Sequence, residues 1–367
     1  MTSNSHPLAP WLTRQLTGLL ARRGHAWLLQ GPSGLGQFEL GLALARAWLC
    51  EAPTLPAARG SLPPEGALAA LGRPGDGSAA PHGACGVCAS CHAIDVHTHA
   101  DFAVLMPETD MLACGWPLDE KAQAEIDDKK RKPGKEIRVD AMRAVIEFAQ
   151  RTNARGRGKV VLIYPAERMN AITANALLKT LEEPPGDVRF VLASDAAHAL
   201  LPTIRSRCQT HTMNWPRTNE ALAWLSEQDV PADAAPALLT AAGGRPAAAL
   251  ALAQPDAHRA AQAWAALPKM LAHGGAATVT AAADLSAPEL IARLQKLCHD
   301  LMAAQTGAAP RFFAAADLPH LPQSSRQMMQ LARWAKQLAR EARVAEHPFN
   351  AGLTAEALVS AAQTALR

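Results

Sequence analysis

An α/β domain built on a parallel sheet, followed by a wholly helical region, is the architecture this sequence predicts, and three observations carry it. A short apolar run at residues 25–30 leads straight into the glycine loop Gly31-Pro-Ser-Gly-Leu-Gly-Gln-Phe38, which opens onto a helical pattern with Leu40, Leu44 and Trp48 on one face. Strand, loop and helix in that order make the repeating unit of a parallel sheet. Two more strands of the buried type, residues 159–163 and 189–193, flank a helical segment, so the alternation continues. After about Trp215 no strand pattern recurs.

The elements follow in order. Residues 52–83 are crowded with Pro, Gly and Ala and read as an irregular, mobile insertion between Cys50 and a cysteine cluster. A second insertion, residues 108–136, mixes acidic residues with Lys129-Lys-Arg-Lys132 and reads as a solvated charged loop. Asp140 is then the expected N-cap of a helix running to Gln150, with Met142, Val145, Ile146 and Ala149 as its apolar face. Strand 159–163 follows, then a helix over residues 175–183 that Pro184-Pro185 stops, then strand 189–193. In the C-terminal part, Leu290, Leu294, Leu297 and Leu301 form one stripe, and Met328, Leu331, Ala335, Leu338 and Ala342 another; both describe packing in a helical bundle.

A chain of 367 residues with 49% hydrophobic content has material for two or three domains. It carries no apolar run long enough to span a membrane and no charged-then-apolar start, so a cytoplasmic location is expected. The net charge of +3 is too small for a whole-molecule field to recruit nucleic acid. The seven cysteines, without a secretory signal, suggest metal binding or free thiols before disulfides. Cys85, Cys88 and Cys91 stand at C-x2-C-x2-C spacing, and tetrahedral zinc needs a fourth ligand. Cys50 is the leading candidate, with His82, His92 and Cys114 as competitors. Four protein ligands leave no open position, so such a zinc would be structural; an iron–sulfur cluster is the second option.

The loop at residues 31–38 has the outline G-x-x-x-x-G-K-[ST], in which backbone N–H groups cradle phosphates, the Lys neutralises charge and the hydroxyl ligates Mg²⁺. Gly31 and Gly36 are present, but Gln37 and Phe38 stand at the last two positions. The strand at 159–163 should deliver acidic residues at its end and delivers Tyr164 and Pro165, with Glu167 too far along to be assumed equivalent. Each substitution removes a different part of a hydrolase. Arg207, in Ser206-Arg207-Cys208, reads on its own residues either as a structural arginine closing the preceding helix or as a functional guanidinium.

Taken together, Gly31 to Phe38, the thiol cluster, Asn175-Ala-Leu-Leu-Lys-Thr-Leu-Glu-Glu-Pro-Pro185 and Ile204-Arg-Ser-Arg-Cys208 resemble the bacterial clamp-loader subunits of the AAA+ class. The likeness covers essentially the whole chain, more closely over residues 25–212 than through the C-terminal part. The gap from Cys50 to the triplet is longer than is usual in that family. The resemblance implies an AAA+ nucleotide-binding-type domain over residues 1–214 with a zinc module, insertions at about 51–84 and 108–136, a small helical lid over 215–256 and a helical collar over 257–367. The altered loop, Tyr164-Pro165, and Ala248 where active relatives place an arginine resemble the family's non-hydrolysing member; Ser194 falls near a nucleotide-sensing position. It further implies a structural zinc on Cys50, Cys85, Cys88 and Cys91, no ATP at the chain's own site, and Arg207 offered as a finger to ATP on a neighbouring gamma/tau subunit. The delta subunit would lie on the other side of a five-subunit loader that opens the beta clamp and places it on primed DNA.

Two rival readings remain. An active ATPase or motor with an unusual loop would need to work around Gln37, Phe38, Tyr164 and Pro165. A zinc-dependent nucleic-acid module would need basic or aromatic residues in the thiol segment, and residues 83–91 contain none. Arg151, Arg155, Arg157 and Lys159 could touch DNA only as part of an assembly.

Overall fold

The computed structural model describes residues 8–52, 83–274, 276–345, 347 and 350–366. The expected insertion at 51–84 lies almost entirely outside the described residues, as does His82. The chain divides into two compact units, Met1–Trp215 and Pro216–Arg367.

The first unit runs α1 (Pro10–Leu20), β1 (Ala26–Gln30), α2 (Gln37–Leu49), α3 (Ala89–Asp95), β2 (Phe102–Leu105), α4 (Glu108–Cys114), α5 (Glu120–Asp127), α6 (Val139–Gln150), β3 (Lys159–Ile163), α7 (Ala171–Glu182), β4 (Val188–Ser194), α8 (Pro202–Arg205) and β5 (Gln209–Thr212). The five strands form one sheet in the order β2-β3-β4-β1-β5. Every pair is parallel, with Phe102 opposite Val160, Lys159 opposite Val188, Ala26 opposite Phe190 and Trp27 opposite Gln209. Alternation along the strands explains the two covered faces. Leu28, Val161, Ile163, Phe190 and Leu192 pack with Met142 and Val145 of α6 and Leu177 and Leu181 of α7. Residues one step along, such as Leu162 and Val191, face α2, where Gly41 allows the approach: a Cβ there would stand 2.6 Å from Leu162 Cδ1. With both faces covered, the central strands read as continuous apolar runs.

Several expectations change. Residues 108–136 are not a solvated loop, because α4 and α5 lie within them and Arg131 joins the two by bonds to Glu108 and Glu125. Asp140 is not the N-cap of α6; Arg138 holds that place without a side-chain bond, and Asp140 lies in the first turn, where its charge suits the helix N-terminus. The helix preceding Pro184-Pro185 begins earlier than expected, at Ala171, because Asn170 caps it by accepting from Thr173 N at 2.9 Å. The sequence reading also lacked α1, β2 and β5.

The second unit contains helices and no strand among its described residues: α9 (Thr218–Glu227), α10 (Ala235–Ala241), α11 (Pro246–Ala253), α12 (Ala257–His273), α13 (Ala276–Ala283), α14 (Ala287–Gln305), α15 (Ser325–Val344) and α16 (Ala351–Leu366). Leu225, Leu238, Leu239 and Ala249 build a small core among α9, α10 and α11. A larger core gathers Leu290, Leu294, Leu297 and Leu301 of α14, as expected from their spacing, with Trp334 and Leu338 of α15 and Leu358 of α16. On α15 the buried stripe is Gln327, Leu331, Trp334 and Leu338, while Ala342 is exposed, so the expected face was rotated by the small residues.

Candidate functional site

The glycine loop leaves the C-terminal end of β1, between the neighbours β4 and β5, at the position where the strand order reverses and α/β folds place ligands. α1 covers it. Trp11 Nε1 donates to the Leu35 carbonyl at 3.2 Å, and Leu12 lies so close to Gly36 (φ 98°) that a Cβ there would meet it at 2.7 Å. Gln37, 2% exposed, turns its side chain back into the loop and donates from Nε2 to the carbonyls of Gly31 at 2.7 Å and Pro32 at 3.0 Å. Phe38 and Tyr164, which stand where a metal-binding hydroxyl and an acidic residue would be needed, pack on each other with ring centroids 5.4 Å apart.

Around this loop the charge is negative. Glu167 accepts from Ser194 Oγ at 2.7 Å and from Asp195 N at 3.1 Å, so both residues at the end of β4 are committed to it. Burial, with the charge of Glu167 second, pushes the Asp195 carboxyl up to about 6, against bonds from Ser33 and Tyr164 that favour its ionised form. Burial likewise raises Glu39 in the first turn of α2. Asp195 Oδ1 is buried without a hydrogen-bond partner among the described residues.

The thiols of Cys50, Cys85, Cys88 and Cys91 come together with all four sulfurs within 4.8 Å of one another. Cys50 ends α2 and Cys91 lies inside α3, and both are fully buried. Sulfur separations of 3.8 Å for Cys50 to Cys88 and 4.0 Å for Cys85 to Cys91 match the roughly 3.8 Å edge of a tetrahedron with zinc–sulfur bonds of about 2.3 Å. Backbone N–H groups of Cys85, Cys88 and Cys91 point at the sulfurs of Cys50, Cys85 and Cys88 in turn, at 3.3 to 3.4 Å, which stabilises thiolate over thiol. This donor set fits a structural zinc. The competing ligands do not join it: His92 is exposed and Cys114 lies at the end of α4.

Arg207 follows α8. Its Nε donates to Glu182 Oε1 at 2.6 Å, its Nη2 reaches the same oxygen, and its Nη1 donates to the Thr203 carbonyl at 2.8 Å. Ser206 Oγ also caps Thr203 at 3.1 Å, and Cys208 is buried, which pushes its thiol up to about 12. Part of what Arg207 does is therefore to close α8, while 30% of its side chain stays exposed.

Residues 74–216 match the family model described as DNA polymerase III, delta subunit. The delta-prime subunit of DNA polymerase III from Pseudomonas aeruginosa is 37% identical over 242 residues, 65% of this chain and 58% of its own length. That of Escherichia coli is 34% identical over 253 residues, 67% of this chain and 61% of its own. The tau subunit of the E. coli enzyme is 31% identical over 198 residues, 54% of this chain and 23% of its own. The chain is similar to delta-prime subunits of DNA polymerase III over about two thirds of its length. The matches span about three fifths of the length of those delta-prime relatives.

The first unit is the α/β domain expected from the sequence, a five-stranded parallel sheet with helices on both faces. Among the basic residues flanking β3, Arg155 and Arg157 are engaged by the thiol module. Arg155 Nη1 donates to Glu51 Oε1 at 2.6 Å and to Ser90 Oγ at 3.2 Å, and Arg157 Nη2 donates to the Glu51 carbonyl at 2.8 Å. Lys159 is 4% exposed beside Asp101, whereas Arg151, Arg155 and Arg157 are all exposed. Sequence reasoning did not find Glu182, Glu51 or Asp195. Glu182 lies within the Asn175–Pro185 segment and Glu51 adjoins Cys50, but nothing local says which arginine each would meet.

Proposed function

We propose that this chain is a non-hydrolysing clamp-loader subunit of DNA polymerase III, helping to load the sliding beta clamp onto primed DNA during replication. The observation that carries the reading is Gln37 filling the glycine loop, its amide bonded to Gly31 and Pro32 in place of a lysine aimed at phosphate. The Phe38–Tyr164 contact supports the same conclusion, since two aromatic rings fill the place where Mg²⁺ would need a hydroxyl and an acidic ligand. Gly31, Gly36, Gln37 and Phe38 thus form a closed loop with no ATP of its own.

Arg207 is the functional group the chain offers. Held at the end of α8 on a buried base of Ile204 and Cys208, it would act in trans on ATP bound by an adjoining gamma/tau subunit, with the delta subunit on the other side. A guanidinium beside the γ-phosphate offsets charge that develops during phosphoryl transfer, an effect of about 10³ to 10⁵ in rate where such fingers have been removed. Zinc, held by Cys50, Cys85, Cys88 and Cys91, would supply cross-linking only. The two hydrophobic cores of the second unit support its division into a lid over residues 215–256 and a collar over 257–367. We place the assembled protein in the cytoplasm, since no described helix is long and apolar enough to cross a membrane and the relatives are replication proteins.

The test is ATP hydrolysis by the reconstituted loader carrying this chain or its Arg207→Ala variant, with the isolated chain alongside. No turnover by the isolated chain, and loss of hydrolysis at the adjoining site on substitution, is the expected pair of results. Turnover by the isolated chain would make it a divergent motor.

A further inference from the structure

The guanidinium of Arg207 has five N–H groups, and three are already committed: Nε and one on Nη2 to Glu182 Oε1, and one on Nη1 to the Thr203 carbonyl. The Nε/Nη2 edge is one of the two forks with which an arginine grips an oxyanion through two parallel bonds. Glu182 occupies it. The backbones on either side are fixed, with Leu181 1% exposed at the end of α7 and Ile204 fully buried in α8, so the pairing is set by the fold. The side chains themselves remain accessible, Arg207 at 30% and Glu182 at 47%.

We propose that Glu182 is a positioning residue that occupies Arg207 in place of phosphate, keeping the finger withdrawn until an ATP-bearing neighbour docks. This rests on Arg207 being the finger. A pair open to water is weakly held and exchanges readily. A phosphate chain carries more charge than one carboxylate, and docking replaces water with protein, so the exchange favours phosphate once the interface closes. Before that, the carboxylate cancels the finger's charge. Glu183, the next residue, has the same chemistry but makes no bond to Arg207 among the described residues, and so serves as an internal control.

The experiment measures single-turnover ATP hydrolysis by the reconstituted loader, without clamp or DNA, for wild type, Glu182→Gln, Glu183→Gln, Arg207→Ala and the double variant Arg207→Ala with Glu182→Gln. Removing the pair should raise the rate about two- to fivefold, the span of an exposed ion pair. Glu183→Gln should leave the rate at wild type, and the double variant should match Arg207→Ala. In the isolated chain, modification of Arg207 by phenylglyoxal, located by mass spectrometry, should also be faster in Glu182→Gln. A rate at or below wild type for Glu182→Gln, with Arg207→Ala still impaired, overturns the inference and leaves the finger standing. An unimpaired Arg207→Ala removes the finger, and the inference with it.

Discussion

Gln37 donates from Nε2 to the carbonyl of Gly31 at 2.7 Å, so the residue that ends the glycine loop closes over the one that begins it. A lysine at this place projects away from the loop's carbonyls toward phosphate; the amide instead satisfies them. Replacing Gln37 with Leu should leave the Gly31 and Pro32 carbonyls without this buried donor and cost about 1–3 kcal/mol in stability. It should not create turnover, because Phe38 and Tyr164 still fill the metal position. Urea unfolding and an ATPase assay on the same variant check both halves, and nucleotide hydrolysis by it would contradict the closed-loop reading.

What could be read in the sequence was whatever local pattern encodes. β1, β3 and β4 are apolar runs because helices cover both faces of the sheet. β5 is Gln-Thr-His-Thr, largely exposed at the sheet edge, and β2 has only four residues, so neither carries a periodic signal. Order in residues 108–136 hangs on Arg131 reaching Glu108, 23 positions away, which no window of helical length contains. The same limit applies to the site. Loss of the lysine and of the acidic pair could be seen in individual residues, and the thiol triplet in its spacing. Cys50 was legible as the leading fourth ligand, and the fold brings it to the triplet, whereas Gln37 acting as a plug and Glu182 meeting Arg207 are products of the fold alone.

Asp195 gives a pH signature. Its carboxyl is raised from an ordinary 3.8 to about 6, first by burial and then by the charge of Glu167. The native state therefore binds more protons than the unfolded chain between those values, and stability contributed by this group falls as pH rises through the window. A shift of this size corresponds to about 3 kcal/mol if taken whole, and about 1–2 kcal/mol after allowing for solvent screening of a group partly open to water. Asp195→Asn should stabilise the chain by that amount near pH 8, with the advantage vanishing toward pH 4. Urea midpoints across this range decide it; an advantage that grows in acid would contradict the account.

Arg131 should hold residues 108–136 together. It bonds Glu108 through Nη1 at 2.5 Å and Nη2 at 2.9 Å and Glu125 through Nε at 2.8 Å, while Gly134 N adds a third bond to Glu108 at 2.7 Å. Glu108 is only 13% exposed, and Arg131 is the main cause of its lowered pKa. Arg131→Met leaves that carboxylate half-satisfied and should lower the urea midpoint at neutral pH. Because a depressed carboxylate stabilises the fold only while ionised, the deficit should shrink as acid protonates Glu108. Adding Glu108→Gln to the variant should recover part of the loss, a result a mere packing defect would not give.

The thiol module and the loop at residues 151–158 should loosen together. Glu51, one residue past Cys50, accepts from Ser90 Oγ at 2.8 Å and from Arg155, and its carbonyl takes Arg157. Asp101 holds the same loop from beneath, accepting from Ala154 N at 2.7 Å and Arg155 N at 2.9 Å, and Asp101 N is bonded to His99, whose other ring nitrogen meets Ser90 at 3.2 Å. Removal of the metal would separate four thiolates and with them Glu51 and Ser90, since both residues adjoin ligands. Trypsin should then cut after Arg155 and Arg157 several times faster in chelator-treated protein than in the zinc-loaded form. Glu51→Ala should accelerate the same cuts while leaving zinc content unchanged, because it removes the tie and none of the ligands. If chelation exposes the thiols to a labelling reagent and the two cuts stay slow, the loop is held by Asp101 alone and the coupling does not exist.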